Sequence, residues 1–182
     1  MRDLRIDGAW TLFLDRDGVI NRRIVDGYVT KWDEFEFLPG VTEALKILSG
    51  KFGRIIVVSN QQGVGKGLMT GADVEAVHVR MVQEIGESGG RISTVLFSPH
   101  LHSEGSVMRK PGIGMALNAR RQFPEIRFSR SVMAGDSLSD MRFGKRTGMK
   151  TVLISEDLQP ARSYPRLIDF VFPDLLSLAY AL

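Results

Sequence analysis

Short apolar runs alternate with longer stretches of helical spacing along most of the chain, and this alternation limits the fold more than any other feature. The runs are Leu12-Phe13-Leu14, Arg54-Ile55-Ile56-Val57-Val58, Thr94-Val95-Leu96-Phe97, Ser131-Val132-Met133-Ala134 and Thr151-Val152-Leu153-Ile154. The second is continuous and β-branched, as strands buried on both faces are. Between the runs, helical spacing covers Val41 to Leu48 after Pro39-Gly40 and Met115 to Phe123 before Pro124. It also covers Leu138 to Arg146, closed by Gly148. Thr70 is placed to cap a helix through Val74, Val77, Met81 and Ile85 that ends near Gly89-Gly90. The tail predicts a short strand at Phe170-Val171-Phe172 and a last helix from Pro173 to Ala181. Strands joined through helices are parallel, so an α/β fold is expected, one parallel sheet with helices on both faces. Residues 1–182 read as one domain. Segment 20–38 is too long for an ordinary strand–helix loop. Its aromatics, Tyr28, Trp32, Phe35 and Phe37, predict a small hairpin flap over the end of the first strand.

Each strand ends in an unusual polar group. The first runs into Asp15-Arg16-Asp17-Gly18-Val19-Ile20-Asn21, the second into Ser59-Asn60-Gln61-Gln62-Gly63. Arg109-Lys110-Pro111 follows the third, and Gly135-Asp136-Ser137-Leu138-Ser139-Asp140 the fourth. Open α/β sheets bind ligands at the carboxyl ends of their strands. Residues i and i+2 of an extended chain point the same way, so Asp15 and Asp17 can reach one small ligand. One carboxylate can attack phosphorus and the other can pass a proton to the leaving oxygen. An Asp–Gly turn that merely ends a strand has the same local composition; the acids, hydroxyl and lysine at the neighbouring strand ends decide against that reading. Gln62-Gly63-Val64-Gly65-Lys66-Gly67 lacks the spacing of a phosphate-binding P-loop and reads as a substrate loop, with Lys66 able to meet an anionic tail.

Composition narrows the chemistry. The chain has no cysteine, which excludes disulfides, thiolate catalysis and a Cys-ligated zinc site, and fits a reducing compartment. Its formal net charge is +3, without a compact Lys/Arg run interleaved with aromatics. Nucleic acid is therefore not an expected partner, and the cations around the candidate loops favour a small anion instead. No stretch reaches the roughly 18 apolar residues of a membrane span. The N-terminal Met1-Arg2-Asp3-Leu4-Arg5-Ile6-Asp7 has no apolar core of signal-peptide length. A soluble cytoplasmic protein is expected, monomeric or a small homo-oligomer.

The four ordered groups at strand ends, spread over residues 10–157, resemble the haloacid dehalogenase (HAD) superfamily of phosphotransferases. With Asp26-Gly27-Tyr28-Val29 and Phe35-Glu36-Phe37-Leu38-Pro39-Gly40-Val41, they are similar to its heptose-bisphosphate and histidinol-phosphate phosphatase branch. The resemblance implies a Rossmann-like sheet and a Mg²⁺-dependent phosphatase acting through an aspartyl-phosphate. Its substrate would be a small phosphorylated metabolite, a sugar phosphate such as a heptose bisphosphate. Histidinol phosphate is the alternative, and a catalytically silent regulatory domain is the alternative outside enzymes. By the same resemblance Asp15 is the nucleophile and Asp17 the proton donor and acceptor, Ser59 binds the phosphoryl group, and Lys110 neutralises it. Asp15, the Asp17 backbone carbonyl and Asp136 would hold Mg²⁺, with Asp140 orienting the loop. Asn60, Gln61, Gln62, Arg109 and Tyr28 are the expected substrate-binding residues. Both usual sites of cap insertion hold only short loops, so a capless enzyme is expected.

Two departures from the branch stand out. Its zinc loop of three Cys and one His is replaced here by the shorter Ser98-Pro99-His100-Leu101-His102-Ser103-Glu104-Gly105-Ser106-Val107-Met108, and zinc is not expected. Ser137 stands where the branch tends to carry Lys.

Overall fold

The structure, a computed structural model, describes residues 5–182; Met1 to Leu4, the start of the N-terminal stretch considered above, lie outside the described residues. Strands β1 (Thr11–Leu14), β2 (Arg54–Asn60), β3 (Thr94–Ser98), β4 (Ser131–Gly135), β5 (Lys150–Ile154) and β6 (Phe170–Phe172) form one sheet in the order β3-β2-β1-β4-β5-β6. Every neighbouring pair is parallel. The helices are α1 (Val41–Lys51), α2 (Gly71–Glu87), α3 (Gly114–Gln122), α4 (Leu138–Thr147), α5 (Gln159–Ser163) and α6 (Leu175–Ala181).

Strand periodicity explains the two covered faces. Leu12, Leu14, Ile55, Val57, Val132 and Ala134 point to one side, where they meet Leu45 and Leu48 of α1, Val77 and Met81 of α2 and Leu178 of α6. The intervening Phe13, Ile56, Val58 and Met133 point to the other side and meet Met115, Ala116 and Ala119 of α3 and Phe143 of α4. All are buried, and each large aliphatic or aromatic side chain so buried contributes about 1.5–3 kcal/mol. Thr70 caps α2 as expected: its hydroxyl accepts from the Asp73 amide at 3.1 Å while the Asp73 carboxylate accepts from the Thr70 amide at 2.8 Å.

The strand order reverses between β1 and β4. In a doubly wound sheet that is where a crevice opens at the carboxyl edge. The Asp15 amide donates to the Ala134 carbonyl at 3.0 Å, so the ends of β1 and β4 are tied together at this point.

Segment 20–38 leaves and returns antiparallel, with Arg22 N on Glu36 O at 2.8 Å and Leu38 N on Ile20 O at 3.0 Å. Between these ties runs a single 3-10 turn at Trp32–Glu34. Trp32 stacks on Phe35 at 4.8 Å, Phe37 meets Phe35 edge-on, and the group packs on the core while Arg80 of α2 lies over the Trp32 ring. The flap is thus clamped to α2, leaving Tyr28 at the carboxyl edge.

Candidate active site

The Asp15–Asn21 turn is wound tightly around one carbonyl. Arg16 O accepts from the amides of Ile20 at 2.8 Å and Asn21 at 3.1 Å. Gly18 has φ 88°, a left-handed conformation that favours glycine, and a Cβ there would lie 2.1 Å from Asp136 Oδ2. The first and fourth groups of the sequence are therefore packed directly together. Asp15, Asp136 and Asp140 form a cluster whose carboxylate oxygens lie within 4.8 Å of one another. Among the described residues it is the group of three or more metal-ligating side chains.

Lys110 closes this cluster from below. It is buried, and its Nζ lies 2.8 Å from Asp15 Oδ1, 2.6 Å from Asp140 Oδ1 and 2.7 Å from the Val58 carbonyl. Burial pulls its pKa down, but Asp140 and Asp15 outweigh that and hold it above the ordinary value. Asn60 fixes the Lys110 backbone from both sides, donating to its carbonyl at 3.1 Å and accepting from its amide at 2.9 Å. Asp140 has a second task. Its Oδ2 accepts from the Ser137 amide at 3.1 Å and the Ser137 hydroxyl at 2.5 Å, capping α4.

Two of these acids, Asp15 and Asp136, resist ionisation. Burial pushes Asp15 up to about 7, with Asp140 and Asp136 adding to the rise and Lys110 opposing it. Burial likewise pushes Asp136 up to about 6, against the pull of Arg23. Arg23 donates to Asp136 Oδ1 at 2.8 Å and to the Asp17 carbonyl at 3.3 Å, so one guanidinium bridges both groups. A cation is what this arrangement calls for, and an all-oxygen donor set suits a hard one such as Mg²⁺.

Asp17 is treated differently. Its carboxylate accepts from Arg16 Nη2 at 2.9 and 3.1 Å, Asn21 Nδ2 at 3.0 Å and Gln61 Nε2 at 2.8 Å. Burial raises its pKa, but the Arg16 charge and these hydrogen bonds prevail and hold it below the usual range. The Gln61 amide also donates to Ser59 Oγ at 2.7 Å, linking the second strand end to the first.

These groups open onto a cavity of about 630 Å³ lined by Asp15, Asp17, Ser59, Asn60, Gln61, Gln62, Arg109, Lys110 and Tyr28, among others. Arg23, Lys66, Ser137 and Ser139 also face it. The structure thus brings the expected catalytic and substrate-binding residues to one place, with Asp136 packed against Gly18 and clustered with Asp15. Arg109 is half-buried, with Nη1 3.3 Å from the His100 carbonyl. Lys66 Nζ lies 5.3 Å over the Tyr28 ring. The glycine-rich stretch turns back on itself: Val64, Lys66 and Leu68 donate their amides to Gln61, Gln62 and Gly63, and Gly65 donates to Pro99. His100 Nδ1 lies 3.2 Å from Ser98 Oγ, at the root of the loop that replaces the zinc loop.

Sequence pattern alone assigns no role to Arg16, the largest of the fully buried side chains, or to Arg23. Alternation gives a signal for Arg16. The middle residue of Asp-x-Asp points away from the ligand side, toward whatever covers the strand end.

Residues 107–178 match a family model described as HAD-hydrolase-like. The chain is 45% identical over 137 residues to the D-glycero-alpha-D-manno-heptose-1,7-bisphosphate 7-phosphatase of Mycobacterium bovis, covering 75% of this chain and 72% of that protein. It is 37% identical over 145 residues to the D-glycero-beta-D-manno-heptose-1,7-bisphosphate 7-phosphatase of Rhodopseudomonas palustris, covering 75% and 78%. The crystal structure of a D,D-heptose 1,7-bisphosphate phosphatase from B. bronchiseptica, complexed with magnesium and phosphate, superposes with a TM-score of 0.83 at 26% identity, covering 94% of this chain and 97% of that one. The ordered groups at the strand ends and the likeness along most of both chains lead to the same result: the chain is a HAD-type phosphatase and belongs to the D-glycero-D-manno-heptose-1,7-bisphosphate 7-phosphatase family.

Proposed function

We propose that the protein removes the 7-phosphate of D-glycero-D-manno-heptose 1,7-bisphosphate by way of an Asp15-phosphate. The observation that carries this is the Asp15–Lys110–Asp140 ion-paired cluster beside Asp136, at the mouth of a cavity large enough for a sugar bisphosphate. Asp15 Oδ attacks phosphorus, the bond from phosphorus to the sugar oxygen breaks, and that oxygen takes a proton from Asp17. Water then attacks the Asp15-phosphate and gives its proton to Asp17, and the bond from Asp15 to phosphorus breaks to release phosphate. Held by four donor contacts, Asp17 is ionised before substrate binds and is set for the second step. For the first, the negative charge of the phosphoryl group beside it raises its proton affinity, so Asp17 takes up a proton from solvent as the complex forms and passes that proton to the leaving oxygen.

Asp15, Asp136 and the Asp17 carbonyl would hold Mg²⁺, with Asp140 behind them holding Lys110. When bound, the ion supplies charge neutralisation between Asp15 and the phosphate dianion. Lys110 lends a further positive charge to the same oxygens, and the Ser59 hydroxyl donates to the phosphoryl group. Arg109 reads the second phosphate, for which a guanidinium fork is suited. Tyr28, Gln62 and Lys66 frame the sugar.

The test is phosphate release from both anomers of heptose 1,7-bisphosphate in Mg²⁺, with the product's remaining phosphate located by NMR. Release from C7, abolished in Asp15→Asn and stopped by chelation, is the expected result. The α anomer is expected to be the better substrate, as it is named for the more similar relatives. Release from C1, or undiminished turnover by Asp15→Asn, would overturn the assignment.

A further inference from the structure

Arg16 is fully buried, an expensive place for a guanidinium, and the proposed chemistry uses it only through its two contacts to the Asp17 carboxylate. Its Nη2 holds both oxygens of Asp17, and its Nη1 lies 3.1 Å from Nε2 of His78, which projects inward from the middle of α2. A guanidinium has only donors, so Nε2 must be the acceptor and the ring proton must sit on Nδ1. Phe97 meets the His78 ring edge-on at 5.7 Å and fixes its plane. The other two residues that hold Asp17, Asn21 and Gln61, stand outside the helices and strands, in the segments that follow β1 and β2.

We propose that the buried Arg16–His78 pair is a positioning element for Asp17, His78 orienting the guanidinium and the guanidinium setting the angle of the carboxylate that exchanges the proton. Through this pair the angle of Asp17 is referred to α2, a helix of 17 residues capped at its start and packed on the sheet. Burial above all, helped by the Arg16 charge, keeps the imidazole pKa down at about 3, so the acceptor is present throughout the neutral range. The inference rests on the proton-transfer role proposed for Asp17.

Leaving-group chemistry separates positioning from mere support. An alkyl phosphate expels an alkoxide that needs Asp17's proton, whereas p-nitrophenyl phosphate expels a phenolate that leaves without one. A panel of alkyl phosphates, heptose 1,7-bisphosphate included, is first measured with the natural enzyme, and the best of them serves as the alkyl ester. A wrong choice of substrate thus shows in the natural enzyme and not in the variants. His78→Leu removes the acceptor, and His78→Gln keeps one. His78→Leu is expected to lower kcat/KM for the alkyl ester about 10- to 100-fold, the worth of a misplaced catalytic group. Its effect on p-nitrophenyl phosphate should stay within about threefold, and His78→Gln should recover most of the loss. Arg16→Lys keeps the buried charge without the fork, and should show the same bias toward the alkyl ester if His78→Leu does not fold. Equal losses on both esters, no loss on either, or no recovery in His78→Gln would each overturn the proposal.

Discussion

Lys110 and Arg109 are adjacent in sequence, yet their surroundings give them separate work. Lys110 is buried between two carboxylates and a carbonyl, whereas Arg109 is half-buried at the cavity wall with one contact to a backbone carbonyl. Lys110→Met should slow heptose bisphosphate and p-nitrophenyl phosphate alike. It should also cost about 3–5 kcal/mol of stability, because it leaves buried acids unpaired. Arg109→Ala should slow only the bisphosphate strongly, since the synthetic ester lacks a second phosphate. Comparing kcat/KM for both esters checks this division, and equal losses in Arg109→Ala would place it with Lys110. Arg23 bridges two of the groups proposed to hold Mg²⁺, so its charge competes with the ion for them. Arg23→Gln should therefore tighten Mg²⁺ about two- to fivefold by calorimetry, the worth of a half-exposed ion pair, and weaker binding would mean that Arg23 holds Asp136 in place. Residues such as Asp15, Asp17, Ser59 and Lys110 were legible because reactive types stood at strand ends. Arg16 was not, because an arginine between two aspartates has the composition of a solvated turn.

At the scale of elements, two helices begin with the same device and serve different ends. Thr70 and Asp73 cap α2, and Ser137 and Asp140 cap α4. Replacing either hydroxyl residue by Ala should cost about 1 kcal/mol of stability, read from urea unfolding. Thr70→Ala should leave kcat unchanged, because Asp73 has its listeners only within the cap. Ser137→Ala should lower kcat as well, since Asp140 Oδ1 also faces Lys110 and a freed carboxylate can turn away from it. Unchanged kcat in Ser137→Ala would show that Lys110 alone keeps Asp140 in place. The six strands and five of the helices could be read from runs and spacing. The helix α5 could not, nor could the 3-10 turns at Trp32–Glu34, His102–Glu104 and Phe128–Arg130, as three to five residues show no period. Spatial order was likewise hidden, because the crossover that puts β4 beside β1 depends on which helix covers which face.

For the whole molecule, the buried His78 makes stability depend on pH in a defined window. Its pKa is about 3 when folded against 6.5 as the ordinary value. Above 6.5 the ring is neutral in both folded and unfolded chains and contributes no pH dependence. Below 6.5 the unfolded chain binds a proton at this ring that the folded one refuses, so the contribution of His78 falls as pH drops, down to about 3 where the folded ring also charges, while the raised Asp15 and Asp136 act in the opposite sense in both proteins compared below. Within the window the slope is about 1.4 kcal/mol per pH unit for one group, hence about 2 kcal/mol lost by pH 5. Carboxylates whose pKa is held down in the fold, Asp17 and Asp169 among them, add losses at lower pH. His78→Gln keeps an acceptor for Arg16 but cannot titrate, which isolates the imidazole from those acids. Urea unfolding of both proteins at pH 7 and pH 5 should show the natural chain losing about 2 kcal/mol more than the variant over that interval. Identical losses would mean that the folded protein admits the second proton. Arg16 Nη1 would then face an imidazolium, and the ring could not be the acceptor that orients the guanidinium behind Asp17.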